Sequence, residues 1–149
     1  TALDVTIQAQ ILEVLQGLSK KLGTAILMIT HNLGVVARYS NRVNVMYAGR
    51  IIEKGLAGDI YAKSKHPYTE GLLNSVPRLD QGKKEKLQPI EGMPPDLINL
   101  PIGCPFVPRC KYVQDRCSKD YPEFTQHKGK GEPHIAACYE SDKVGASKK

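Results

Sequence analysis

Tryptophan is absent from the 149 residues and phenylalanine occurs twice, so that with seven tyrosines only 6% of the chain is aromatic. These few rings are not interleaved with lysine and arginine, as a surface that stacks nucleic-acid bases requires. Charge of one sign is never massed either. Of the net +6, residues 1–75 carry eight basic against five acidic side chains, and residues 76–149 thirteen against ten. Each half is therefore only +3, and nucleic acid is not an expected partner. No apolar run approaches the roughly 18 to 20 residues that span a bilayer, and the first residues form neither a basic leader nor a lipidation motif. With 41% hydrophobic and 24% charged residues, wholesale disorder is excluded. The expectation is a soluble, intracellular protein, long enough to bury about two-thirds of its unfolded surface.

Two further absences divide the chain. No proline precedes Pro67 and no cysteine precedes Cys104, so the sequence changes character between residues 60 and 75. In the first part, Ile7, Ile11, Val14, Leu15, Leu18 and Leu22 recur at steps of three and four, which predicts a helix over residues 5–22 whose apolar stripe packs into a core. Asp4 suits its N-cap and Gly23 its C-terminal end. The continuous run Ala25-Ile26-Leu27-Met28-Ile29 predicts a strand buried on both faces of a parallel sheet. Its end delivers Thr30-His31-Asn32, with Asn32 suited to cap a helix from Leu33 to about Tyr39. Ligands of open α/β sheets bind where strands end, which places His31 well for chemistry. Taken alone, His31 reads equally as a hydrogen-bonded surface or core histidine, and Asp4 as a simple cap. Residues 42–47 alternate as a strand, Ala48-Gly49-Arg50 turns, and residues 51–53 return, which predicts a hairpin ended by Lys54-Gly55. A short helix is expected over residues 59–64, opened by Asp59. Pro67 pushes His66 out of the helical region and opens a helix through Thr69 to Leu73.

The second part retains its own chemistry in Cys104-x5-Cys110-x6-Cys117-x20-Cys138. A loop-rich stretch punctuated by Pro101, Pro105 and Pro108 can bring four thiolates together on a metal. Two disulfides and four free thiols are the other readings, and disulfides are disfavoured inside cells. Structural zinc takes at least one C-x2-4-C knuckle, which is missing here. Cluster ligands tolerate irregular spacing, and Cys104-Pro105 is a ferredoxin-like element, so spacing favours iron–sulfur over zinc. Arg109, Lys111 and Arg116 would offset thiolate charge, unless they are simply a solvated basic surface. His127 and His134 could replace a thiolate, although surface positions are expected for both. Residues 81–88 read as a solvated connector and residues 141–149 as a disordered tail.

Thr1-Ala2-Leu3-Asp4, the long helix, Ile29-Thr30-His31-Asn32 and Val45-Met46-Tyr47-Ala48-Gly49-Arg50-Ile51 with Glu53 and Gly55 together resemble the carboxyl-terminal part of an ABC transporter ATPase subunit. His66-Pro67-Tyr68-Thr69, Ser75-Val76-Pro77-Arg78 and Gly103-Cys104-Pro105-Phe106 with Pro108-Arg109-Cys110 are similar to the extension of the peptide and nickel importer branch. The resemblance runs to about Tyr139. It implies an α/β fold: residues 1–60 as the carboxyl-terminal portion of a P-loop ATPase domain, residues 61–140 as the cysteine-containing extension, and residues 141–149 as the tail. It further implies that His31 contacts the γ-phosphate of ATP, with Mg, and that Asp4 acts across the interface of two ATPase domains. Implied partners are a second ATPase subunit, identical or different, transmembrane permeases and, indirectly, an extracytoplasmic substrate-binding protein. The place implied is the cytoplasmic face of the membrane. Some members of the branch carry a [4Fe-4S] cluster on such cysteines.

The departures define the alternatives. The phosphate loop G-x-x-x-x-G-K-[ST], the glutamine loop, the signature loop and the acidic pair ahead of Thr1 are absent from these residues, so this chain alone is expected not to hydrolyse ATP. Asn32 stands where an Asp is common, and both residues cap helices well. The rival reading is a stand-alone cluster- or zinc-binding interaction module without nucleotide chemistry.

Overall fold

The computed structural model describes residues 5–76 and 89–145. They form two compact units divided between Ser40 and Asn41. The expected boundary near residue 60 would have cut the second unit's sheet.

In the first unit, α1 spans Val5–Leu22 and ends as Gly23 predicts: Gly23 takes φ +66°, and the Thr24 N–H returns to the Ser19 carbonyl at 3.1 Å. That is a Schellman closure, in which glycine enters the left-handed region without a Cβ penalty. The apolar stripe, however, is not a core. Ile7, Ile11, Val14, Leu15, Leu18 and Leu22 all remain exposed. The expected strand over residues 25–29 is also absent: residues 24–30 have no regular structure, and Leu27 and Ile29 are 84% and 92% exposed. The physical reason is common to both. A buried parallel strand needs neighbours on both edges and layers on both faces, and no strand among the described residues pairs with this one. The second helix, α2 (Leu33–Tyr39), forms as expected, with the Asn32 side chain accepting from the Gly34 and Val35 N–H groups at 3.0 and 3.2 Å.

The second unit is built on a four-stranded antiparallel sheet in the order β1-β2-β4-β3. Strands β1 (Arg42–Tyr47) and β2 (Arg50–Leu56) form the predicted hairpin, with β2 running past Gly55. Ala48 and Gly49 fill the two-residue turn at φ +47° and +75°, the primed geometry that matches strand twist. Opposite Val45 and Met46 the register slips, leaving Ile52 as the extra residue of a bulge. Its carbonyl accepts from the Ala137 N–H at 2.8 Å, just beyond β4. Two short helices follow β2, α3 (Ala57–Ala62) and α4 (Pro67–Asn74). Beyond a 3-10 turn at Val107–Arg109 come α5 (Asp115–Lys119), β3 (Thr125–His127) and β4 (His134–Ala136). Strand β4 pairs with both β2 and β3, so the cysteine-bearing stretch completes the sheet begun by the hairpin.

The core of this unit is aromatic. Tyr47, Tyr68 and Phe106 meet with ring centroids 4.6 to 5.6 Å apart, Tyr47 and Phe106 edge to face. Phe106, Ala136 and Ala137 are buried, so the stretch from Pro101 to Tyr139 supplies part of this core. The tail is corrected as well. Ser141 and Val144 are buried, and Lys143 and Val144 donate back to the Glu140 carbonyl, so residues 141–145 form an ordered turn. The expected connector at 81–88 lies outside the described residues.

Candidate functional site

Cys104 precedes the 3-10 turn, Cys110 ends it, Cys117 lies in α5 and Cys138 follows β4. Backbone bonds hold them in register: the Cys104 N–H donates to the Cys117 carbonyl at 2.8 Å, and the Cys110 N–H to Val107 at 3.2 Å. The first of these bonds depends on Gly103, where a Cβ would collide with the Cys117 carbonyl and the Ser118 backbone. All four thiols are free, half-buried and line one cavity with room for about 20 Å³, a single water's worth. His66 lines it too.

Burial pushes the Cys104 and Cys110 thiols up, and Cys138 up to about 12, with the neighbouring cysteines adding to each rise. Backbone N–H groups oppose the rise: those of Phe106 and Val107 at Cys104, and that of Tyr112 at Cys110, which donates to Sγ at 3.4 Å. Burial of this kind favours the protonated thiol at Cys104, Cys110 and Cys138, and cationic charge is needed to ionise them. The three cations expected to provide that charge are engaged elsewhere. Arg109 donates to the Ile90 and Glu91 carbonyls at 3.1 and 3.0 Å, Lys111 pairs with buried Glu70 at 3.1 Å, and Arg116 pairs with Glu140 at 3.2 Å. Of the three, Lys111 still favours the Cys110 thiolate, as the smallest of the influences on it.

The four sulfurs share a cavity, yet no three His, Cys, Asp or Glu side chains among the described residues are grouped as ligands of one metal ion. A single zinc needs every sulfur about 2.3 Å from one point. The sulfurs of a cluster bind different irons and stand further apart.

The histidines separate by burial. His66, 1% exposed, has φ −119° and ψ 136° and caps α4, its Nδ1 accepting from the Tyr68 N–H at 3.1 Å. Burial lowers its pKa to about 3, so the ring is neutral. His134, expected at the surface, is buried in β4, where its Nε2 lies 2.7 Å from the Glu53 carboxylate. Glu53 is wholly buried and also accepts from the Lys65 and His66 N–H groups at 2.6 and 3.1 Å. One carboxylate thus ties β2, β4 and the entry to α4. His127 is largely buried as well, with Nδ1 3.4 Å from Asp142.

In the first unit His31 is exposed, one residue ahead of the α2 cap, and Asp4 lies outside the described residues. The structure groups the cysteines and adds His66 to their cavity, while His134, weighed from sequence as a substitute ligand, pairs instead with Glu53 away from that cavity. A lone glutamate inside the apolar run Ile51-Ile52-Glu53 was the one available signal.

Residues 52–117 match the family described as the oligopeptide/dipeptide transporter, C-terminal region. The chain is 49% identical over 144 residues to an oligopeptide transport ATP-binding protein of Mycobacterium tuberculosis, covering 97% of this chain and 23% of that protein. A dipeptide transport ATP-binding protein of Bacillus subtilis is 49% identical over 142 residues, covering 95% of this chain and 41% of its own length. An oligopeptide transport ATP-binding protein of the same organism is 45% identical over 146 residues, covering 98% and 43%. The chain thus spans less than half the length of these curated relatives.

Proposed function

We propose that this chain is the carboxyl-terminal part of an ATPase subunit energising peptide import, because residues 52–117 match the C-terminal region of the oligopeptide/dipeptide transporter family and almost the whole chain is nearly half identical to peptide-transport ATP-binding proteins. The similarity over 95 to 98% of the chain carries this reading, and the relatives named above favour peptides over nickel. The exposed α1 stripe and exposed Ile26, Leu27 and Ile29 support it, because such surfaces suit a helix and strand completed by neighbours in a longer protein.

Within that parent, His31 donates to the γ-phosphate and orients the attacking water, and Asp4 acts across the interface of two ATPase domains. A neutral imidazole can donate to an anionic oxygen as charge builds on it, without a charge of its own. A second ATPase subunit, permeases and a substrate-binding protein are the partners. No helix among the described residues is long and apolar enough to cross a membrane, in keeping with peripheral attachment at the cytoplasmic face. The test is the reading frame ahead of Thr1. A phosphate loop and signature motif in frame support the proposal, and a native start at Thr1 overturns it.

A second reading concerns the extension. Four free sulfurs around one cavity support a [4Fe-4S] cluster held by Cys104, Cys110, Cys117 and Cys138, with zinc as the competing occupant. When bound, such a group supplies iron–thiolate bonds that cross-link four separate segments. Anaerobic addition of ferrous iron and sulfide to the reduced chain tests it. Uptake of four irons with a broad band near roughly 400 nm supports the cluster, and a colourless chain that takes up one zinc instead overturns it.

A further inference from the structure

We infer that Cys104 and Cys117 are a redox-active pair, closing reversibly into a disulfide by exchange with a low-molecular-weight disulfide. The Cys104 N–H donates to the Cys117 carbonyl at 2.8 Å. With standard bond lengths that contact holds the two Cα atoms within about 6.7 Å of each other, inside the span a disulfide bridges. Both thiols are free, and both line the same cavity, which has room for about 20 Å³. A bond between two sulfurs needs neither space for a guest nor a third ligand, so a site of this size suits it. Gly103 maintains the approach, since a Cβ there would strike the Cys117 carbonyl and the Ser118 backbone.

The remaining sulfurs are held back. Cys110 Sγ accepts from the Tyr112 N–H at 3.4 Å. Burial pushes the Cys138 thiol up to about 12, which keeps it protonated and a poor nucleophile at neutral pH. Burial raises the Cys104 thiol as well, against the opposing Phe106 N–H, and Cys117 is the one cysteine whose charge adds to that rise. The exchange balances. A thiolate of the pair attacks glutathione disulfide, forming a mixed disulfide and releasing one glutathione thiolate. The second cysteine, once deprotonated, attacks the protein sulfur of that intermediate and expels the other. Two cysteine thiols are oxidised, one glutathione disulfide is reduced to two thiols, and the two protons given up by the cysteines end on glutathione. Closure ties the loop ahead of the 3-10 turn to α5 and withdraws two sulfurs from any metal. It is a property of the metal-free thiols and stands apart from the cluster reading above.

The experiment treats the reduced, metal-free 149-residue chain with glutathione disulfide, alkylates the remaining thiols and maps the links after tryptic digestion. Arg109, Lys111 and Arg116 provide the cuts that separate Cys104, Cys110 and Cys117. The expected result is a chain about two daltons lighter before alkylation, in which the Cys104–Cys117 link outnumbers every other by about tenfold. In urea this preference should vanish, because an unfolded chain favours the shorter closures Cys104–Cys110 and Cys110–Cys117. A native distribution of links equal to that in urea overturns the pair, as does a predominant link through Cys110 or Cys138, or a folded chain that only collects glutathione adducts. The double variant Cys110→Ser with Cys138→Ser should keep the link, and its loss there with the fold intact overturns the assignment. Uptake of iron and sulfide by the chain, or its failure, changes none of these readouts.

Discussion

Glu53 and His134 stand 81 residues apart in sequence and 2.7 Å apart in space, one on β2 and the other on β4, with both side chains closed off from solvent. The carboxylate also holds two backbone donors, from Lys65 and His66, so its removal strands three polar groups at once. Glu53→Ala should destabilise the second unit by about 3–5 kcal/mol, the range for breaking one side of a buried pair. His134→Ala should cost less, because Glu53 keeps its backbone partners. Urea unfolding of the two single variants and the double variant measures this, and strict additivity would mean that the pair is not coupled.

His66 predicts a dependence on acidity. Its folded pKa of about 3 lies below the unfolded value of 6.5, so between these values the unfolded chain binds the extra proton. Stability should be fully present above pH 6.5 and fall as the pH drops, by up to about 1.4 kcal/mol per unit until the folded value is reached. Denaturation midpoints measured from pH 7 to pH 4 should slope more steeply in the parent chain than in His66→Asn, with His127, also lowered by burial, contributing to the slope that remains.

At the hairpin tip Ala48 holds φ +47° beside Gly49 at +75°. Most L-residues are strained there by their Cβ, asparagine less so because its side chain hydrogen-bonds locally, and glycine not at all. Ala48→Asn should raise the thermal midpoint, corresponding to about 0.5–1 kcal/mol. A lowered midpoint would show that the alanine methyl makes a contact worth more than the strain.

Gly103 tests the scaffold beneath the cysteines. Its Cβ has no room against the Cys117 carbonyl and the Ser118 backbone, so Gly103→Ala must push the loop that carries Cys104 away from α5, which carries Cys117. A loss of about 1–3 kcal/mol is expected, together with faster alkylation of both thiols, read by mass spectrometry.

In the full-length subunit, His31→Ala should lower ATP turnover more than nucleotide affinity, since the proposed contact strengthens as charge develops on the transferring phosphoryl group. Equal turnover in the two proteins would reject that role for His31.

Local signals were the legible ones. The stepped apolar residues of α1, the caps Asn32 and His66, Gly23 at the helix end and the alternation of β1 each carry their instruction within a few neighbouring residues, and the structure follows them. Readings that needed distant partners did less well. The run Ala25 to Ile29 has the composition of a buried strand, but burial is supplied by other strands and layers. Strands β3 and β4 are three residues each, too short for alternation to show, among glycines, lysines and prolines. His134 looked like a surface residue because the glutamate that explains it lies on another strand. The cysteines were recognisable as a group, whereas the engagement of Arg109, Lys111 and Arg116 with carbonyls and carboxylates could not be read from adjacency.

The strand order β1-β2-β4-β3 also sets a timetable. Lys54 must wait for Ile135 before the middle of the sheet can form, so a ribosome has to pass β4 before β2 finds its second neighbour. The hairpin can close early and alone. Joining β2 to β4 closes a loop about forty times longer, at an entropic cost about 3 kcal/mol greater, and such distant pairings are slow to form. Until then Glu53 has no histidine and the second edge of β2 is open, a state in which a nascent chain is vulnerable to strand-to-strand association with its neighbours.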